Sequence, residues 1–273
     1  MSAHGPEQAA PRPFPEIAVI IPHWRRNTDL ERCLISIHQS SELTGRPVRI
    51  IVVDSDEPCF GNYGVEWVPV QETYPYCKSL SQNAGWSKAL EYKPDVIAVL
   101  DCDMVVGPLW LDACACARRS RVTRVCFDVR DFDGDPRDVE WSLDTWAASH
   151  RRWMGWDNPW CNAASKSRTS SRRQPLCFGN SCWATAPSVV GPIRWDERML
   201  GRGWEDLDFT CRLVLHVGWP FWRGLLFKKP QYNLYHIKHD PLEWATDNRD
   251  NRRRALSLFR ASMTKAEDQR FFG

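Results

Sequence analysis

Long apolar runs are missing from this sequence. Stretches such as Ile17–Ile21 and Ile50–Val53 fall far short of the ~20 residues that cross a bilayer, so no transmembrane segment is expected. The N-terminus has no apolar core of the kind a secretory signal carries. Net charge is nearly absent too. Lys plus Arg is 36 and Asp plus Glu is 34, a formal charge of +2. That excludes a generic nucleic-acid binder, which carries a strong basic excess, and leaves room for one phosphorylated ligand. Paired C-x-x-C zinc motifs are lacking: Cys114 and Cys116 form C-x-C, and Cys177 and Cys182 stand five apart. The 11 cysteines are odd in number and irregularly spaced over 273 residues. Reduced, mostly buried thiols in a cytoplasmic protein are expected rather than a disulfide framework. No internal repeat is visible.

What is present is a globular composition, 43% hydrophobic and 26% charged, with an excess of tryptophan, 15 in all. Residues 1–15 hold four of the 19 prolines and no periodic pattern, and are expected to be a disordered lead-in. Three short aliphatic runs follow, Ile17–Ile21, Val48–Val53 and Val96–Leu100. Each has the character of a parallel strand buried on both faces. Thr28-x-x-Glu31 reads as a capping box, with Leu30, Leu34 and Ile37 at helical spacing behind it. A second helix is predicted from about Ser79 to Leu90. Strand, helix, strand, repeated, predicts a doubly wound α/β sheet, mostly parallel, with helices on both faces. Farther along, Phe178–Thr185 reads as a strand, and Glu205–Val217 and Leu242–Phe259 read as helices. Ser165–Arg173, a basic low-complexity run, reads as a solvated loop.

Ligands of such sheets bind at the carboxyl ends of the strands, which directs attention to three places. The first strand ends in Pro22-His23-Trp24-Arg25, the second in Asp54-Ser55-Asp56, and the third in Asp101-Cys102-Asp103. Two carboxylates leaving a buried strand are hard to explain as packing, and they suit a hard cation such as magnesium or manganese. Gly201-Arg202-Gly203-Trp204-Glu205-Asp206-Leu207-Asp208 places three acids at a helix start. Acids favour that end of the helix dipole, but three exceed what capping needs. A carboxylate beside apolar rings makes a general base, and Trp204 offers a flat face to a sugar. In His236-Ile237-Lys238-His239-Asp240, either imidazole could ligate a metal.

Taken in order, these motifs resemble the GT-A fold glycosyltransferases, closest to family 2 and its galactosyltransferase-like relatives, over roughly residues 16–260. The pattern is strand-Pro22, Asp54, Asn83-x-Gly85, Leu100-Asp101-Cys102-Asp103-Met104, Phe178-Gly179-Asn180, Gly203-Trp204-Glu205-Asp206-x-Asp208 and a late His239. The resemblance implies a nucleotide-binding half, 16–105, an acceptor-binding half, 106–260, and a tail, 261–273. It implies a UDP-sugar donor with Mn2+ or Mg2+. Pro22, Asp54, Lys78, Asn83, Asp101 and Asp103 would contact the donor, Asp54 at the uracil. Asp103 would be the direct metal ligand, with Asp101 near the ribose or an ordered water and His239 as the late ligand, His236 being its alternate. Asp206 would be the base of an inverting displacement, and Glu205 would contact a sugar. The sequence departs from the pattern at Asp56 and at Gln82, where an arginine is common. The Q-x-x-R-W signature of processive members is absent, which implies a nonprocessive enzyme.

The tryptophan excess then points to the acceptor. Trp141, Trp146, Trp153, Trp156 and Trp160 fall in one stretch, and with Trp183, Trp204 and Asn180 they are candidate acceptor contacts, since aromatic faces suit sugars. At least half of the tryptophans are expected to be core. Two rival readings are a nucleotidyltransferase on a similar sheet and an inactive carbohydrate-binding protein. Against the first, no glycine-rich loop follows the first strand; against the second, the acids and the late histidine are all retained. The sugar and the acceptor are not named by any motif.

Overall fold

The computed structural model describes residues 16–56, 63–71, 73, 75–119, 124–127, 129–132, 182–201, 203–217, 225–227, 229–237 and 249–272. The lead-in, the basic loop at 165–173, Trp141, Trp146, Trp153, Trp156, Trp160, Asn180 and His239 lie outside these residues.

Strands β1 (Ile17–Pro22), β2 (Val48–Asp54), β3 (Glu66–Pro69) and β4 (Val96–Val99) are parallel, in the order β3-β2-β1-β4. The sheet continues through β8 (Trp183–Thr185), β6 (Val125–Phe127) and β9 (Leu225–Phe227). Strand β8 runs antiparallel to both β4 and β6, while β9 is parallel to β6. A second sheet joins β5 (Met104–Val106), β10 (Leu234–Ile237) and β7 (Val129–Phe132), with β10 in the middle.

All six residues of β1 are buried, because both faces of the sheet are covered. Ile17, Val19 and Ile21 pack on one side with Leu30, Cys33, Leu34 and Ile37 of helix α1 (Asn27–Thr44) and Trp110 and Leu111 of helix α3 (Trp110–Ala115). Ala18 and Ile20 point to the other side. There they meet Trp86 and Ala89 of helix α2 (Lys78–Glu91) and Leu207 and Phe209 of helix α5 (Glu205–Val217). Between these, α4 is a single turn, Pro187–Val190. The terminal helix α6 (Arg249–Phe272) covers the described part of the predicted Leu242–Phe259 (242–248 lie outside the described residues) and runs well beyond Phe259.

The capping box did not form. Helix α1 begins at Asn27 with Arg26 as its cap residue and no side-chain capping bond. Thr28 lies inside the helix, and Glu31 instead accepts the Tyr63 hydroxyl at 3.3 Å. The cap position is taken by a residue whose guanidinium is engaged on Asp103. Strands β5, β6, β8 and β9 have only three residues each, too few to show a period.

Asn83 has a structural engagement. Its amide accepts the Trp195 N–H at 2.9 Å and donates to the Trp195 carbonyl at 3.0 Å and to Glu197 Oε1 at 2.8 Å. It thus clamps the segment leading to α5 onto α2. Asn83→Ala is expected to lower the urea midpoint, at a cost of about 1–3 kcal/mol. An unchanged midpoint would show that the clamp contributes nothing to stability.

Candidate active site at the carboxyl edge of the sheet

The register of the parallel strands sets the site. Pro22 pairs with Val53, and Ile20 with Val99, so the residues after β1, β2 and β4 leave the sheet along one edge. After β1, His23 is buried and its Nδ1 donates to Asp54 Oδ2 at 2.5 Å. Its Nε2 accepts the Arg26 N–H at 3.1 Å, which leaves Nδ1 as the donor. Asp54 Oδ1 accepts the Ser55 N–H at 2.7 Å. Asp54 is therefore held on both oxygens, and His23 ties the ends of β1 and β2 together.

Asp101 and Asp103 stand on the turn between β4 and β5. Arg26 Nη1 donates to Asp103 Oδ2 at 2.8 Å. His236 Nε2 lies 3.6 Å from the same oxygen. Strand β10 brings it there: His236 pairs with Met104, and the Ile237 N–H donates to the Asp103 carbonyl at 2.8 Å. Lys78, at the start of α2, gathers the other acids. Its Nζ is 2.7 Å from Asp101 Oδ1 and 3.7 Å from both Glu205 Oε1 and Asp206 Oδ2. Four carboxylates would repel strongly; at ~4 Å a unit pair is worth on the order of 4 kcal/mol at an effective dielectric of 20. Lys78 and Arg26 offset that repulsion.

The environment tunes these groups. Burial opposes the Lys78 charge, but Asp101, Asp206 and Glu205 outweigh it and hold the ammonium well above its ordinary pKa. Burial pushes Asp206 up to about 7; Lys78 opposes the rise, Glu205 and Asp101 add to it, and Gln82 opposes it. A carboxylate with that pKa is matched to proton transfer near neutral pH. Cys102 is buried between the two acids, and burial together with Asp103 and Asp101 keeps it a neutral thiol. Burial also raises Cys33 and Cys182, which touch the Asp101 backbone. As neutral thiols these sulfurs are poor nucleophiles. The ligand atoms on offer here are carboxylate oxygens and an imidazole nitrogen, a set that fits Mn2+ or Mg2+. Among the described residues, no three His, Cys, Asp or Glu side chains converge as a metal cage.

The acids of α5 are launched from a strained turn. Gly201, Gly203 and Trp204 all have positive φ, at 74°, 94° and 76°. For tryptophan this is a costly conformation, of the kind concentrated at functional sites. The turn is held from two sides: the Gly201 N–H donates to the Tyr76 carbonyl at 3.0 Å, and Asn251 of α6 donates to the Leu200 carbonyl at 2.8 Å. Trp204 is half-buried, with the Arg252 guanidinium 5.8 Å from its ring centre. Asp208 belongs to a different network, accepting from Arg212 at 2.6 Å.

Lys78, Asp101, Asp103, Glu205, Asp206 and His236 are thus brought together, with Pro22 and Asp54 along the same edge. Trp183 does not fit an acceptor role. It is 3% exposed and packs with Trp86, Trp195 and Phe209 beneath the sheet. Trp24, Trp86, Trp110 and Trp195 are buried as well, so most described tryptophans are core. Sequence reasoning missed the pairing of Arg26 with Asp103 and the His23 bridge. The available signal was a basic pair, Arg25-Arg26, directly after a strand end.

No protein-family model matches this chain, and no curated protein matches it in sequence. Solved structures do match in fold. Glucosyl-3-phosphoglycerate synthase from Mycobacterium tuberculosis, in complex with Mn2+, UDP and glucosyl-3-phosphoglycerate, has a TM-score of 0.51 at 15% identity over 91% of this chain and 80% of that one. The same enzyme with Mg2+ and UDP gives 0.53 at 14%, over 89% and 79%. The catalytic domain of Drosophila β1,4-galactosyltransferase 7 with xylobiose gives 0.51 at 12%, over 88% and 81%. At these identities the likeness is one of fold: the chain has the mixed α/β, mostly parallel GT-A architecture of these glycosyltransferases. No described helix is long and apolar enough to cross a membrane.

Proposed function

We propose that this protein is a nonprocessive, inverting glycosyltransferase that moves a sugar from a UDP-sugar to an acceptor, with a divalent cation. One observation carries the reading: a single ammonium, Lys78 Nζ, contacts Asp101 of the D-x-D turn and both acids of the α5 N-terminus. Strand-end acids and a candidate base thereby share one small space at the edge where such sheets bind ligands. Asp103 and His236 would hold the cation, with Asp101 beside it and His239 as a further ligand. There it would neutralise the charge developing on the leaving diphosphate.

The chain's own groups supply the rest. Asp54, fixed by His23 and the Ser55 N–H, presents a rigid carboxylate toward the nucleobase. Lys78 stays charged and shields the acids from one another, and it can follow the diphosphate as that charge grows. Glu205 contacts a sugar. Asp206 accepts the proton of the acceptor nucleophile, which attacks the anomeric carbon from the face opposite the diphosphate. Trp204 lies beside these acids as a flat apolar surface for the acceptor, with Trp156 and Asn180 as further candidates. A reducing compartment, the cytoplasm, is consistent with the thiols: no disulfide joins any two of the described cysteines.

A hydrolysis screen against UDP-, GDP- and TDP-sugars tests this. A UDP-sugar should be cleaved slowly in Mn2+ or Mg2+, and EDTA should stop the reaction until cation is restored. Undiminished hydrolysis in EDTA would remove the cation from the reading, and no cleavage of any donor would remove the activity.

A further inference from the structure

The wall of α2 facing the acids carries a polar side chain that nothing in the protein fully satisfies. Gln82 is fully buried, one turn on from Lys78, and neither its Nε2 nor its Oε1 has a hydrogen-bond partner in good geometry. It faces Asp206. From the α5 side, Glu205 Oε2 and Asp206 Oδ1 are also buried and unpartnered. Each orphaned buried group costs about 1–3 kcal/mol, and native proteins leave few of them. Four such atoms on α2 and the start of α5 mark a place where something else completes the bonding.

The donor and acceptor inventory limits what that is. The group offers two N–H donors on Nε2 and acceptors on Gln82 Oε1, Glu205 Oε2 and Asp206 Oδ1. An anion would be repelled by the two carboxylates, and an apolar group would leave all four atoms unsatisfied. A further cation would compete with Lys78, which already contacts both carboxylates, and would leave the amide N–H groups unused. Neighbouring hydroxyls, each donating and accepting, fit the set.

We infer that Gln82, with Glu205 and Asp206, reads hydroxyl groups of the sugar being transferred, and so helps to set which hexose the protein accepts. This rests on the nucleotide-sugar reading above and gives it a specificity residue. The neutral amide is suited to the task. It can donate to one hydroxyl and accept from the next without adding charge beside the base.

The test separates sugar from nucleotide. Wild type, Gln82→Met and Gln82→Asn are titrated calorimetrically in Mn2+ with UDP, UDP-glucose, UDP-galactose and UDP-N-acetylglucosamine. Methionine keeps the length and removes both polar atoms; asparagine keeps the amide and withdraws it by one methylene. For the UDP-hexose that wild type binds best, Gln82→Met should weaken binding about tenfold, the loss of roughly one good hydrogen bond. UDP itself should bind unchanged, and Gln82→Asn should fall between. If UDP and UDP-hexose affinities shift together, or neither shifts, the inference is overturned while the nucleotide reading stands. If wild type binds none of the four, the nucleotide reading fails and takes this inference with it. Gln82→Asn gives a smaller shift in the same direction should the methionine variant fold poorly.

Discussion

Asp206→Asn is expected to lose turnover by about 10²–10⁴-fold, the usual worth of a positioned general base, while binding UDP as wild type does. The amide matches the carboxylate in shape but cannot take a proton. Donor hydrolysis and calorimetry with UDP separate the two effects. Normal turnover in the variant would end the assignment of Asp206 as base. Wild-type kcat/KM should rise with pH through about 7, as the carboxylate ionises.

The same substitution should alter stability in a direction that checks the electrostatics independently of activity. An aspartate titrates near 3.9 in the unfolded chain and Asp206 near 7 in the fold. The folded state therefore binds more protons between these values. Its favourable contribution is fully present below about pH 4 and is lost as pH rises through about 7. A tenfold difference in proton affinity between folded and unfolded chain is worth about 1.4 kcal/mol, reduced here because solvent still reaches the half-buried side chain. Asp206→Asn lacks this penalty. Its thermal midpoint should equal that of wild type near pH 4 and exceed it by several degrees above pH 7. A variant less stable than wild type at pH 8 would mean that Lys78 needs Asp206 more than burial disfavours it.

Gly85→Ala is expected to be the most destabilising small substitution in the N-terminal half. In an exposed helix this change is favourable by about 1 kcal/mol. Here α2 lies directly on the sheet. A Cβ at Gly85 would collide with the Ile20 Cγ2 methyl and stand 2.9 Å from Val53 Cγ2. Both methyls are on fully buried residues of the central strands and have nowhere to move. Overpacking of this kind costs about 1–3 kcal/mol or more. At roughly 2–4 °C per kcal/mol for a chain somewhat under this size, the thermal midpoint should drop by roughly 5–10 °C. An unchanged or raised midpoint would show that α2 can lift off the sheet without cost.

Much of the N-terminal half was legible in the chain. Continuous aliphatic runs could only be strands covered on both faces, and β1, β2 and β4 lie where Ile17–Ile21, Val48–Val53 and Val96–Leu100 predicted. The Leu30, Leu34 and Ile37 spacing marked the buried face of α1, and α5 spans the predicted Glu205–Val217. The capping box failed because Arg26 is drawn to Asp103, a contact 77 residues away that no local pattern records. Trp183 read as a surface for a ligand because a single aromatic residue has no period. Its place in the core follows from β8 inserting between β4 and β6.

By itself, then, the sequence determined the kind of sheet, the edge that carries the acids and the identity of those acids. These are local properties: the apolar period, the end of a strand, charge placed where a strand or helix stops. Only the tertiary structure decided which acids meet. Lys78 joins Asp101 to Glu205 and Asp206 because α2 and α5 pack on the same face of the sheet. His236 reaches Asp103 because β10 pairs with β5. Both depend on registers between distant segments, chosen by packing the whole core at once. The near-neutral total charge is a cancellation over the whole chain, whereas in the fold four carboxylates and two basic side chains are concentrated at one edge.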